Sequence, residues 1–332
     1  MQRSVNAGIL GVGMAVPERV MTNADLEKIV DTTDEWIRTR TGIRERRISS
    51  PDETSSTLGA EASRRALAHA GVPAEELDMI ICATATGDYI WPATACLIQQ
   101  AIGAKRATAY DITAACSGFV YGLATASAYI QSGQARRVLV VGAETLSKMV
   151  NWEDRATCVL FGDGAGAAVL GPCAPDEGVL SSAMGSDGGG FEMIILPAGG
   201  TKIPITPEVL EQKLNRIFMR GSEVYKFAVK IMGDVCLDAL CKANLTPADV
   251  SLFIPHQANT RIIEAAASRM GLPPEKVFIN LDRYGNTSAA SIPIGLTEAV
   301  TEGRVKRGDV LVFVGFGAGL TWGANVVRWS RD

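Results

Sequence analysis

The chain has 332 residues, 47% of them hydrophobic and 20% charged, and a formal net charge of −4. Such a composition can fill a large core and is not that of a disordered chain. The acidic balance argues against nucleic-acid binding, which needs a basic footprint, and no apolar run reaches the roughly 18 residues of a membrane span.

The first apolar run, Gly8-Ile-Leu-Gly-Val-Gly-Met-Ala-Val16, meets Pro17 and has no small-residue cleavage site. It reads as a core strand rather than a signal peptide. Residues 38–47 then carry five arginines, Arg38, Arg40, Arg44, Arg46 and Arg47. A solvated basic stretch and a phosphate-facing rim both fit them. Ser55–Ala70 places Leu58, Ala62, Ala66 and Leu67 on one stripe, and Gly71 supplies a helix stop. Residues 79–83 form a short apolar strand. Trp91 lies in Tyr89-Ile-Trp-Pro92, where a packed aromatic anchor is the plain reading. A strand-like run over 107–112 leads into Ala114-Ala-Cys-Ser-Gly118. Residues 117–131 are apolar nearly all round, so that helix has to be buried on every side. Residues 138–143 make a second buried strand.

The turn-rich stretch Gly171-Pro-Cys-Ala-Pro-Asp-Glu-Gly178 marks a junction. It divides the chain into a half spanning 1–176 and a half spanning 177–332. Pro207–Lys230 reads as a long amphipathic helix interrupted by Gly221. The second half then repeats strand, buried helix, strand over 251–255, 288–301 and 310–315. The offsets are 251 − 79 = 172, 288 − 116 = 172 and 310 − 138 = 172. A constant register points to domain duplication. Buried helices between apolar strands imply sheets covered on both faces, so an α/β fold of stacked α-β-α-β-α layers is expected.

Three pieces carry chemistry: Cys116 in Ala114-Ala-Cys-Ser-Gly118, His256 in Pro255-His-Gln-Ala-Asn259, and Asn286 in Gly285-Asn-Thr-Ser288. Taken alone, each has a bland reading: a small buried cysteine, a satisfied histidine, a helix N-cap. Each also follows an apolar run and opens a segment of helical character. A thiol at a helix N-terminus feels the positive end of the dipole, which is expected to lower its pKa. An imidazole N–H and an amide NH₂ aimed at one carbonyl oxygen would stabilise an enolate. Phe316-Gly-Ala-Gly-Leu320 offers backbone N–H groups that, with the Cys116 N–H, would make an oxyanion hole. The seven cysteines, Cys82, Cys96, Cys116, Cys158, Cys173, Cys236 and Cys241, contain no C-x-x-C pair. Neither a disulfide framework nor a zinc site is expected, and a reducing cytoplasm fits. The glycine-rich segments Gly8–Gly13 and Gly162–Gly166 lack the following helix of a dinucleotide fingerprint and read as tight turns.

Six pieces in this order, Asp34-Glu-Trp-Ile-Arg-Thr-Arg-Thr-Gly-Ile-Arg44, Ala114-Ala-Cys-Ser-Gly-Phe119, Phe161-Gly-Asp-Gly-Ala-Gly166, Pro255-His-Gln-Ala-Asn259, Tyr284-Gly-Asn-Thr-Ser288 and Gly317-Ala-Gly-Leu-Thr-Trp322, resemble the β-ketoacyl-acyl-carrier-protein synthase III family of the thiolase-like superfamily. The resemblance runs essentially end to end. It implies a thiolase-like fold and an acyltransferase that condenses a short acyl-CoA with malonyl-acyl carrier protein, without metal or resident cofactor. It implies Cys116 as nucleophile, His256 and Asn286 as enolate stabilisers, and the N–H groups of Cys116 and Ala318 as oxyanion hole. It further implies CoA contacts at Trp36, Arg40, Arg155 and Asn259, carrier-protein contacts at Lys226 and Arg261, and a homodimer in which Trp91 bounds the partner's acyl pocket. A ketosynthase of specialised metabolism or, from another class, a non-catalytic thiolase-fold scaffold are the alternatives. The primer acyl group stays open.

Overall fold

Strands that are apolar at every position need cover on both faces. The computed structural model, which describes residues 5–331, supplies that cover with two sheets and helices on three levels. The first sheet runs in the order Asn6–Ala15, Asp163–Cys173, Val138–Thr145, Met79–Ala83, Thr108–Ile112. Its last three strands are mutually parallel and the first two join antiparallel. The second sheet runs Leu252–Pro255, Val310–Gly317, Thr321–Arg328, Gly178–Ser186, with only the first pair parallel.

Alternation along each strand sorts side chains between layers. Val138 and Val140 face the two central helices, Gly118–Gln131 and Ser291–Thr301. Leu139, Val141 and Ala143 face the outer helices Ser55–Ala70 and Thr94–Ile102. In the second sheet Leu311 and Phe313 face the central pair, while Val310, Val312 and Val314 face Gly221–Lys242 and Thr260–Arg269. The order is helix, sheet, helix, sheet, helix, as the duplicated pattern implied.

Several local expectations are corrected. Gly11 and Gly13 are not in a turn. They lie inside strand Asn6–Ala15, where a Cβ on either would come within 2.4 Å of the backbone of helix Ser55–Ala70, so they permit close helix–strand approach. Gly162 adjoins Asp163–Cys173, likewise a strand rather than a turn. Pro207–Lys230 is not one helix. A short helix Pro207–Glu211 is followed by strand Phe218–Met219, which pairs with Ile194–Ile195, and Gly221 begins the long helix rather than interrupting it. Arg46 is not part of any rim. It is wholly buried and donates to the Met21 carbonyl, Asn23 Oδ1 and the Val159 carbonyl, with burial lowering its pKa to about 10. Arg47 lies over Tyr284.

The repeat register also shifts by one residue where it matters most. Ala115 and Ser288 share a positive φ, 45° and 47°, which is uncommon outside glycine. They open matching 3₁₀ turns, Ala115–Ser117 and Ser288–Ala290, ahead of the central helices. The turn offset is therefore 288 − 115 = 173, against 310 − 138 = 172 for the following strands. Cys116 stands opposite Ala289, not Ser288.

Candidate active site

The two matching turns meet across the halves. A Cβ at Gly315 would lie 2.8 Å from the Cys116 carbonyl, and one at Gly142 would lie 2.2 Å from the Ala289 carbonyl. Each central turn thus rests on a glycine in the sheet of the opposite half. Ser117 Oγ and Thr321 Oγ1 lie 2.6 Å apart, and Thr321 also donates to the Ala114 and Ala318 carbonyls. These bonds hold residues 318–321 against the cysteine turn, with a Cβ at Gly317 only 2.6 Å from the Cys116 nitrogen.

Asn286 is pinned by its backbone. Its N–H donates to the Leu160 carbonyl at 2.8 Å and its carbonyl accepts from Gly162 N–H at 3.0 Å. Its Oδ1 accepts the Ser288 N–H at 2.9 Å. That leaves the NH₂ as the group it can offer a ligand. His256 follows strand Leu252–Pro255 and donates its N–H to the Val314 carbonyl at 2.7 Å. Its ring packs edge-on to Phe316 with centroids 5.6 Å apart, and Nδ1 lies 2.7 Å from Ser291 Oγ. Burial lowers the imidazole pKa to about 3, so the ring is neutral at physiological pH.

Cys116, His256, Asn286 and Ala318 all line one cavity of about 680 Å³. Its walls are largely apolar, including Leu146, Phe161, Ile194, Ile217 and Met219, and its mouth carries Trp36, Arg40, Asn259 and Arg261. Few polar groups converging in an apolar pocket is the usual form of a small-molecule site. The other sequence candidates lie further out. Asn259 caps helix Thr260–Arg269 and donates to the Arg40 carbonyl at 2.8 Å. Arg261 is exposed with its guanidinium 5.5 Å from the Tyr225 ring centre, and the neighbouring Lys226 is exposed outside the cavity. Trp91 is 82% exposed and does not line the cavity of its own chain.

Sequence reasoning overlooked a polar layer beneath the thiol. Glu144 is wholly buried, accepting from Thr86 Oγ1 at 2.5 Å and from Ala85 N–H at 3.1 Å. Burial raises its carboxyl to about 7, opposed by hydrogen bonds from Thr86 and Ser288. Ser291, beneath His256, was overlooked as well. The available signals were a carboxylate ending the apolar strand and a serine opening an apolar buried helix.

Two family models match the chain: 3-oxoacyl-[acyl-carrier-protein (ACP)] synthase III over residues 110–188, and the C-terminal part of that family over residues 240–329. The β-ketoacyl-[acyl-carrier-protein] synthase III of Symbiobacterium thermophilum is 58% identical over 324 residues, covering 98% of each chain. The crystal structure of 3-oxoacyl-[acyl-carrier-protein] synthase III from Aquifex aeolicus superposes with a TM-score of 0.90 at 49% identity, over 97% of this chain and 100% of that one. The priming β-ketosynthase of the R1128 polyketide pathway superposes with a TM-score of 0.91 at 36% identity, over 100% and 98%.

The chain belongs to the 3-oxoacyl-[acyl-carrier-protein] synthase III family.

One feature of this synthase III site bears on ligand entry, and another departs from the sequence expectation. Trp36 is flanked by the guanidinium groups of Arg40 and Arg155, at 4.5 and 4.8 Å from its ring centre. Arg155 thus lies directly over the Trp36 ring. A nucleotide ring can enter there only if Arg155 swings away from the Asp31 carbonyl, which it holds at 2.8 Å. The thiol pKa moves opposite to expectation. Cys116 is half-buried and keeps part of its surface open to the cavity. Burial pushes the thiol up to about 12; the Ser288 hydrogen bond opposes this and the Glu144 charge adds to it. Desolvation thus outweighs the helix end, and the resting group is a thiol. The alkylation rate of Cys116 by iodoacetamide is expected to climb about tenfold per pH unit between about pH 6 and 9, because only the thiolate reacts. A plateau near neutrality would instead mark a lowered thiol pKa.

Proposed function

We propose that the chain condenses a short acyl-CoA with malonyl-acyl carrier protein, giving 3-oxoacyl-acyl carrier protein, CoA and CO₂, as the first step of type II fatty-acid synthesis. The observation that carries this reading is the single cavity shared by Cys116, His256, Asn286 and Ala318. The nucleophile comes from the half 1–176 and the two enolate donors from the half 177–332.

In the first half-reaction Cys116 Sγ attacks the acyl-CoA thioester carbon. The oxyanion is held by the N–H groups of Cys116 and Ala318, a kind of contact worth about 3–4 kcal/mol per donor. The C–S bond to CoA breaks, and the thiol proton leaves with the CoA sulfur. In the second half-reaction the malonyl thioester oxygen takes hydrogen bonds from neutral His256 and from the Asn286 NH₂. Loss of CO₂ leaves its electron pair on the α-carbon as an enolate. That carbon attacks the acyl group on Cys116, the C–S bond breaks, and the thiolate recovers a proton from solvent. Decarboxylation drives the condensation, so the scheme needs neither ATP nor metal.

Trp36, Arg40 and Asn259 at the mouth, with Arg155 over the Trp36 ring, would receive CoA, and the exposed cations Lys226 and Arg261 would meet the acidic carrier protein. A homodimer working in the cytoplasm is part of the same reading. The dimer is supported by consecutive exposed Tyr89, Ile90 and Trp91 and by the half-open edge strand Thr108–Ile112. If Trp91 bounds the partner's acyl pocket, Trp91→Ala is expected to extend the accepted chain length in a competition among acyl-CoAs; unchanged selectivity would count against it.

The test is a turnover balance. Acyl-CoA and malonyl-acyl carrier protein should yield CO₂, CoA and 3-oxoacyl-acyl carrier protein in equal amounts. CoA release without condensed product would refute the reading.

A further inference from the structure

Ser291 opens the second central helix, and its hydroxyl meets two groups. Gln257 N–H points to Ser291 Oγ at 3.3 Å, and His256 Nδ1 lies 2.7 Å from the same oxygen. All three residues are buried, at 1% exposure each. Hydrogen counting and the cost of a stranded donor then point to the roles. The Gln257 N–H can only donate, so Oγ accepts from it. The hydroxyl has one hydrogen, and Nδ1 is the acceptor at short range. If Nδ1 carried the proton instead, the second lone pair of Oγ could accept it, but the serine hydrogen would lose this partner in a buried site, which is costly. A neutral imidazole carries one N–H. With Nδ1 accepting, that N–H is Nε2.

We propose that Ser291 is the positioning residue of this site, donating its hydroxyl hydrogen to His256 Nδ1 and so fixing the tautomer that offers Nε2–H to the thioester oxygen. The opposite tautomer would turn a bare Nε2 lone pair toward that oxygen, repelling the enolate it has to stabilise. The Asn286 amide is oriented by the same device, since the Ser288 N–H occupies its Oδ1 and frees the NH₂. Ser291 and Ser288 thus each engage the acceptor side of one catalytic donor. The edge contact of His256 with Phe316 sets the plane of the ring, and Ser291 sets which nitrogen holds the hydrogen.

The inference rests on the proposed role of His256, but its decisive readout does not depend on turnover. The chain has two histidines, so ¹⁵N-histidine labelling with a His69→Gln variant isolates the His256 ring. The unliganded enzyme is expected to show a bare Nδ1 and a protonated Nε2. A protonated Nδ1 would overturn the proposal whatever the activity. In Ser291→Ala, malonyl-acyl carrier protein decarboxylation is expected to fall about 10²-fold in kcat with little change in KM, the size of effect seen when one such donor is lost. Loading of Cys116 from acyl-CoA is expected to stay at the native rate, because its oxyanion is held elsewhere. Ser291→Thr, which keeps the hydroxyl, is expected to restore decarboxylation. Loss of loading and decarboxylation together in Ser291→Ala would show a packing role only and contradict the proposal, as would native decarboxylation in that variant.

Discussion

Cys116→Ala is expected to abolish acyl loading and to lower condensation by at least about 10³-fold, the scale on which removal of a covalent nucleophile is felt. The same variant is expected to keep decarboxylating malonyl-acyl carrier protein. The reason is spatial. The sulfur lies on the turn Ala115–Ser117, whereas the proposed enolate donors are the strand-end His256 and the pinned Asn286. Removing the thiol leaves Asn286 held by Leu160 and Gly162, and His256 held by Val314 and Ser291. Quantifying ¹⁴CO₂ release beside acyl transfer separates the two activities. If decarboxylation disappeared with the thiol, the donors would not form an independent unit.

His256→Ala and Asn286→Ala are expected to give the complementary result. Each removes one of the two proposed donors to the enolate oxygen, which is expected to cost about 10²–10³-fold in decarboxylation, or about 3–4 kcal/mol. Loading should survive in both, since the loading oxyanion is assigned to the Cys116 and Ala318 amides. The two losses should not add in the double variant, because groups that act together on one oxygen are not independent. The burial that holds His256 neutral also fixes the pH behaviour. With its pKa near 3, decarboxylation should show no His256 inflection between about pH 5 and 8. An inflection near 6.5 that vanishes in His256→Ala would mean that the imidazolium, not the imidazole, contacts the substrate.

The layered architecture was legible because apolar runs such as Val138–Val141 and Leu311–Val314 have few other fates than a sheet covered twice. The helix Gly118–Gln131, apolar on every face, had to lie between such sheets. Backbone detail was not legible. Nothing in Ala115 or Ser288 announces a positive φ, so the alignment of the two turns came out one residue wrong. Burial was misjudged for charged and polar groups, whose surroundings depend on distant segments. Arg46 reads as one of five basic neighbours, yet Asn23 and the Met21 and Val159 carbonyls enclose it. The Cys116 thiol was expected to respond to the helix end, while enclosure by both halves dominates. Ser291 and Glu144 escaped notice because their meaning lies in a partner far away in the chain. The three sequence-chosen residues His256, Asn286 and Cys116 nevertheless share one cavity.

The most direct measurement is intact-protein mass spectrometry after incubation with a panel of acyl-CoAs, followed by peptide mapping. One acyl group per chain is expected, attached at Cys116 and discharged on adding malonyl-acyl carrier protein. An acyl group on another side chain, or none from any acyl-CoA, would mean that the cavity does not bring a reactive sulfur to a thioester.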